Sequence, residues 1–236
     1  MTLNNERHVL VVYPHPDDEA FSVAGVLRMY RNMGVPVTYA CLTLGEMGRN
    51  LGNPPFATRE SLPEIRRKEL LAACEAMGIE DLRMMGLRDK TIEFEDSEKM
   101  VKLVANLIDE LNPSIIYTFL PGYSVHPDHE ATAEAVVEAV RRMPVDARPP
   151  IHACAFANDT VEKNGEAHVI IDITSVKNDK VRAIQAHTSQ TAWMIAETAK
   201  RVDEGQPMSE SWLNVEKFYI IQHNEEPDQS IDSANL

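Results

Sequence analysis

The chain is short of several features that would each point to a partner or a compartment. Among its 236 residues are only three cysteines, Cys41, Cys74 and Cys154, widely spaced and set inside apolar segments. An odd number so placed supports neither a disulfide framework nor a CxxC metal site, and the three read as small buried hydrophobes. Positive charge is scarce: 23 Lys and Arg stand against 37 Asp and Glu, a net charge of -14. That balance disfavours a phosphate backbone, and no basic stripe offsets it, so nucleic acid is excluded as a partner. No run approaches the ~20 apolar residues that a membrane span requires, which excludes a membrane partner. The stretch MTLNNERHVLVVYPHP lacks a basic region followed by a long apolar core, so the expected location is a reducing cytoplasm. Phosphate loops are missing too: neither GxGxxG nor GxxxxGK[ST] occurs, although an N-terminal strand, turn and helix is where a dinucleotide fold would carry one.

What is present suits one large core, since 44% of the residues are apolar and 25% charged. A single domain over residues 1–223 is expected, followed by a polar, acidic tail over 224–236 that cannot bury enough apolar surface to order itself. Short β-branched runs at 8–13, 36–44, 82–86 and 114–120 alternate with helical patterns at 19–33, 63–77, 96–111 and 130–142. Repeated βα units predict an α/β, Rossmann-like fold: a mostly parallel sheet between helices, with its active site at the carboxyl ends of the strands. Gly34 and Gly78 read as helix ends, and Ser61 or Thr58 with Pro63 and Glu64 as a helix start. Later come strands at 151–157, 168–173 and 217–222, and one long helix from Ser175 to about Val202. The Gly/Pro/Asn-rich loop at 45–62 follows the second strand on the crevice side and is a candidate lid.

Two stretches carry chemistry. YPHPDDEAF (13–21) leaves the first strand through a histidine and three consecutive carboxylates, which repel one another unless something positive is expected there. His15 and Asp18, with two residues between them across a strand-to-helix turn, can reach one metal ion, leaving the intervening Asp17 free to act. His126-Pro127-Asp128-His129 follows the fourth strand and reaches the same rim, where His129 could close a two-histidine, one-aspartate site. Three protein ligands and an open position is the pattern of catalytic zinc, although such a donor set also suits Fe2+ or Mn2+. Plainer readings exist: Asp18 and Glu19 suit a helix N-terminus, Asp128 a cap, and His8, His152, His168 and His223 ordinary surface or core positions.

PHPDDE with HPDH downstream, the loop GEMGRN, the helix IRRKELLAA and AHTSQ at 186–190 resemble the LmbE/PIG-L family of zinc-dependent N-acetylglucosaminyl deacetylases. Pro14 stands where that family usually has Ala. YPHPDDEAF, GNPPFATRESLPEIRRKEL and GYSVHPDHEAT are more narrowly similar to the branch serving bacillithiol synthesis, in its second form, which acts on N-acetylglucosaminyl malate and releases acetate. The resemblance implies one Zn2+ per chain held by His15, Asp18 and His129, with Asp17 as general base. It implies His126 as the acid assisting oxyanion and departing amine, Asp128 as the residue orienting and charge-stabilising His126, and Arg66 as the substrate holder. His187 is expected in packing. A homo-oligomer, trimer or hexamer, is likewise implied. Alternatives are a deacetylase of other N-acetyl sugars or thiol conjugates, a two-metal phosphoesterase, and a metal-binding module without turnover.

Overall fold

Strand β1 (Val9–Tyr13) shows why the sheet lies where it does. Its five residues are all buried; Val9, Val11 and Tyr13 pack on one side of the sheet, Leu10 and Val12 on the other. A strand covered on both faces reads as an unbroken apolar run, and each such side chain contributes about 1.5–3 kcal/mol on burial. The computed structural model describes residues 3–203 and 211–221; the expected acidic tail at 224–236, His223 and the last residue of the 217–222 run lie outside them.

After β1 come α1 (Asp18–Ser22), α2 (Ala24–Asn32), β2 (Val37–Cys41), α3 (Leu62–Met77), β3 (Asp81–Met84), α4 (Ser97–Leu111), β4 (Ile115–Phe119) and α5 (Pro127–Arg141). Then follow β5 (Ile151–Cys154), a short α6 (Thr160–Asn164), β6 (Val169–Asp172), α7 (Lys177–Ala186), α8 (Thr188–Asp203) and β7 (Val215–Ile221). The sheet order is β3-β2-β1-β4-β5-β7-β6. Strands β1 to β5 pair in parallel, while β7 runs antiparallel to both β5 and β6. Helices α2, α3 and α7 cover one face and α4 with α5 the other. The α/β fold and the mostly parallel sheet are as the alternation predicts. Gly78 ends α3 and Gly34 follows α2, both at positive φ.

Two departures bear on function. The pattern at 19–33 is one helix in sequence, yet the chain breaks at Val23 between α1 and α2, and the single helix expected over 175–202 breaks at His187 between α7 and α8. Among the described residues no helix is long and apolar enough to cross a membrane.

Strands run outward from β1 to β3 on one side and resume at β4 on the other, so the order reverses between β1 and β4. Such a switch point opens a crevice outside the carboxyl ends of the strands. Both proline-bearing motifs leave the sheet there, one after β1 and one after β4.

Candidate active site

Where β1 ends, the backbone turns at Asp17, whose φ of 94° is left-handed and unusual outside glycine. This turn directs the two neighbouring aspartates to different partners. Asp18, buried, accepts the His15 backbone N–H at 2.9 Å, and its carboxylate lies 3.4 Å from His15 Nδ1 and 3.2 Å from His129 Nε2. The two imidazole nitrogens face each other across 3.2 Å. Burial opposes ionisation of Asp18, but the His129 and His15 rings outweigh it and hold its carboxyl well below the usual range.

The outer faces of both rings are engaged. His15 Nε2 lies 3.2 Å from Asp128 Oδ2 and 3.1 Å from Asp89 Oδ1, and His129 Nδ1 lies 3.0 Å from the Ser124 carbonyl. With Nε2–H on His15 and Nδ1–H on His129, each ring presents a lone pair inward beside the Asp18 carboxylate. Rings held by an outer acceptor in this way are what metal-ligating histidines require. The donor set therefore fits a divalent cation. His126 is close enough to form a second grouping with His15 and His129, and Asp89 and Asp128 a third with His15.

Asp17 stands beside this cluster, partly open to solvent, with Oδ2 accepting from Arg66 Nη2 at 2.9 Å. Burial pushes its carboxyl up to about 6 against the pull of the Arg66 guanidinium. The His126 imidazole is half-buried, and burial followed by the adjacent His15 and His129 rings sets it below its ordinary value.

Two expected roles need correction. Asp128 does not orient the His126 ring with its carboxylate, although its charge does favour the protonated ring: Oδ2 and Oδ1 receive the backbone N–H groups of Lys90 and Ile92, at 2.7 and 3.1 Å, and Oδ2 faces His15. His126 Nδ1 accepts from the Asp128 backbone N–H instead, at the start of α5. Nor is Arg66 a free fork for substrate. It is 3% exposed, Nη1 donates to the Gly45 carbonyl at 2.9 Å, and Nη2 donates to the Pro16 carbonyl and to Asp17. The guanidinium lies so close over Gly45 that a Cβ there would collide with it.

Three features were not found in the sequence. Asp89, buried in the loop after edge strand β3, touches His15 and accepts the Met47 N–H at 2.7 Å. Glu19 and His187, both fully buried, meet at 2.6 Å across 168 positions of sequence. Glu69 on α3 accepts both the N–H and the hydroxyl of Ser189 at 2.6 and 2.7 Å. The 45–62 loop is tied to the same place, by Gly52 N–H to the Ser189 carbonyl and by Asn50 and Gln190 to each other's carbonyls. A surface hollow of about 900 Å3 lies along α4 between Arg83, Lys102, Glu110 and Arg142 and is lined by none of the motif residues.

The pattern of the PIG-L family, GlcNAc-PI de-N-acetylase, matches residues 10–140. A protein of Bacillus anthracis named probable N-acetyl-alpha-D-glucosaminyl L-malate deacetylase 2 is 50% identical over 218 residues, covering 92% of this chain and 96% of that one. One of the same name in Bacillus subtilis is 46% identical, covering 93% and 100%. Among solved structures, the N,N'-diacetylchitobiose deacetylase of Pyrococcus horikoshii superposes with a TM-score of 0.68 at 24% identity, over 93% of this chain and 85% of that one. A 4-carboxy-2-hydroxymuconate hydratase from Pseudomonas putida gives 0.67 at 19%, over 92% and 96%. Those two structural likenesses speak to the fold alone, which serves more than one chemistry.

Proposed function

We propose that this chain, which belongs to the GlcNAc-PI de-N-acetylase (PIG-L) family, hydrolyses the acetamide of an N-acetylglucosaminyl malate, releasing acetate and a free glucosamine amine in bacillithiol synthesis. Deacetylation follows from the family; the substrate, the metal and the residue roles are the proposal. The substrate rests on the Bacillus relatives, which match nearly end to end and carry that name. The metal rests on the spacing of the donors. His15 Nδ1 and His129 Nε2 lie 3.2 Å apart, with Asp18 Oδ2 3.4 Å from the first and Asp18 Oδ1 3.2 Å from the second, and two imidazoles with one carboxylate are donors that suit catalytic zinc.

Bound there, zinc would supply a water of pKa near ~7 and polarise the amide carbonyl. Asp17 is the base: its carboxyl, raised to about 6, is ionised at neutral pH yet basic enough to accept a proton from that water. Arg66 holds this carboxylate on the open side of the cluster while the left-handed turn keeps it apart from Asp18. His126 borders the same space, its ring centroid 4.9 Å from that of His15 and 5.1 Å from that of His129. Its protonated form would stabilise the tetrahedral oxyanion. Because its surroundings disfavour the charge, that proton passes readily to the departing amine. Asp128 and Asp89 act through His15, as outer acceptors. A cytoplasmic site of action suits the three cysteines, all free and buried. By family resemblance the working form is a homo-oligomer, a trimer or hexamer.

The observation that carries the reading is the triad of inward-facing donors beside an aspartate that none of them engages. The test is acetate release from N-acetylglucosaminyl malate, free N-acetylglucosamine and a thiol conjugate, each with and without a chelator. The malate conjugate should turn over fastest, and chelation should abolish turnover until Zn2+ is restored. Turnover that survives complete metal removal would sink the mechanism; a clear preference for either other substrate would sink the substrate assignment.

A further inference from the structure

Asp17 and Asp18 are adjacent, carry the same side chain and border the same cluster, yet only one can serve as base while the other serves as ligand. What separates them is the backbone at Asp17, and a non-glycine residue at a φ of 94° persists only where its surroundings over-determine it. The restraint is visible. The Asp17 backbone N–H donates to Glu19 Oε2 at 3.1 Å, and that oxygen also accepts the Tyr39 hydroxyl at 3.0 Å. The other oxygen, Glu19 Oε1, lies 2.6 Å from His187 Nε2. Glu19, Tyr39 and His187 are all completely buried. A buried carboxylate needs a compensating partner, and His187 is the only imidazole it contacts among the described residues.

We infer that His187, acting through Glu19, is a positioning residue for Asp17: the pair holds the left-handed turn that aims one of two neighbouring carboxylates at water and leaves the other to the metal. The inference rests on Asp17 being the base.

The location of His187 supports this. It occupies the break between α7 and α8, where an uninterrupted helix would have no reason to stop. Its carbonyl accepts the N–H groups of Gln190 and Thr191, so the new helix starts from the residue that reaches Glu19. Two residues later Ser189 is held by Glu69, three residues beyond Arg66 on α3. Backbone and carboxylate of Asp17 are thus anchored separately, by Glu19–His187 and by Arg66, and both anchors lead to the α3–α8 contact. The Nδ1 of His187 is buried without a hydrogen-bond partner, so packing alone does not account for an imidazole at this position.

A double-mutant cycle tests the pair. His187→Leu should lower kcat about 10–100-fold, the range expected when a catalytic group is misplaced by about an ångström, with KM and zinc per chain unchanged. His187→Gln, which keeps an amide donor, should recover part of that loss. In the Asp17→Asn background, itself down by roughly 10²–10⁴-fold, either substitution should cost less than about twofold more. Equal losses in both backgrounds, a loss confined to KM, a loss of zinc, or no loss at all would each overturn the inference. If His187→Leu does not fold, the cycle with Gln decides alone. Asp17→Asn retaining near-normal activity would instead overturn the base assignment itself.

Discussion

Asp128 illustrates how a single residue's role depends on which ring its carboxylate meets. It is completely buried, receives two backbone N–H groups and faces His15 Nε2, so its effect should appear in the metal site. Outer acceptors of this kind are worth about 10–100-fold in metal affinity. Asp128→Asn is therefore expected to weaken zinc by about that factor in chelator competition. Unchanged affinity with a reduced kcat would return Asp128 to His126. That His15, Asp18 and His129 converge was legible because each half sits within one short motif, at fixed spacing, beyond a strand the apolar pattern marks clearly. Asp89 was not legible: it follows an edge strand whose residues are only half-buried, and it reaches His15 from outside either motif. Glu19 and His187 were hidden for another reason, since each lies in a motif that offers a simpler explanation, a helix start and a helix interior.

At the scale of elements, the two broken helices share a cause that local propensity cannot supply. Neither Val23 nor His187 is a Gly or Pro, and the apolar period continues across both, so the sequence predicts continuity. The first break is made from the opposite end of the chain. Glu216 on β7, buried, accepts the N–H groups of Gly25 and Val26 at 2.9 Å each, satisfying the open donors at the start of α2. Lys180 on α7 completes the arrangement, donating to Glu216 at 2.8 Å and to the Phe21 carbonyl at 3.0 Å, with both side chains about 1% exposed. One ion pair thus joins α1, α2, α7 and β7. Losing one partner of a buried pair leaves an uncompensated charge, at a cost of about 3–5 kcal/mol. Lys180→Met should lower unfolding free energy by that order in a denaturant titration. Lys180→Met with Glu216→Gln should cost less than the sum of the two single changes, because it removes both charges. Strict additivity would mean that the pair does not act as a unit. The antiparallel β7 was illegible for the related reason that its direction is set by this contact and by pairing between β5 and β6, not by its own composition.

Across the whole molecule, the sheet order decides what acid does to stability as well as where the site lies. With β7 inserted beside β5, His152 packs between Tyr117 and Phe218, at centroid distances of 5.5 and 5.9 Å, and burial pushes its imidazole down to about 4. This is the ordinary packed histidine the sequence suggests, but it carries a linkage consequence. Its folded value lies below the usual 6.5, so between those two values the unfolded chain binds a proton that the native chain does not. Stability from this group is complete above pH 6.5, declines as pH falls towards 4, and is lost below that. The shift corresponds to about 2–3 kcal/mol, allowing for partial exposure of the ring. Carboxylates held low in the native state, Asp18, Asp89 and Asp128 among them, act in the same direction, so wild-type stability alone cannot isolate the histidine. The difference between wild type and His152→Phe can: phenylalanine suits the aromatic stack and has no proton to bind. The stability difference in favour of the variant should grow by about 2 kcal/mol between pH 7 and pH 4.5, measured by denaturant unfolding at each pH. Parallel curves would mean that His152 is as easily protonated in the fold as in water, and that the β5–β7 seam is open to solvent.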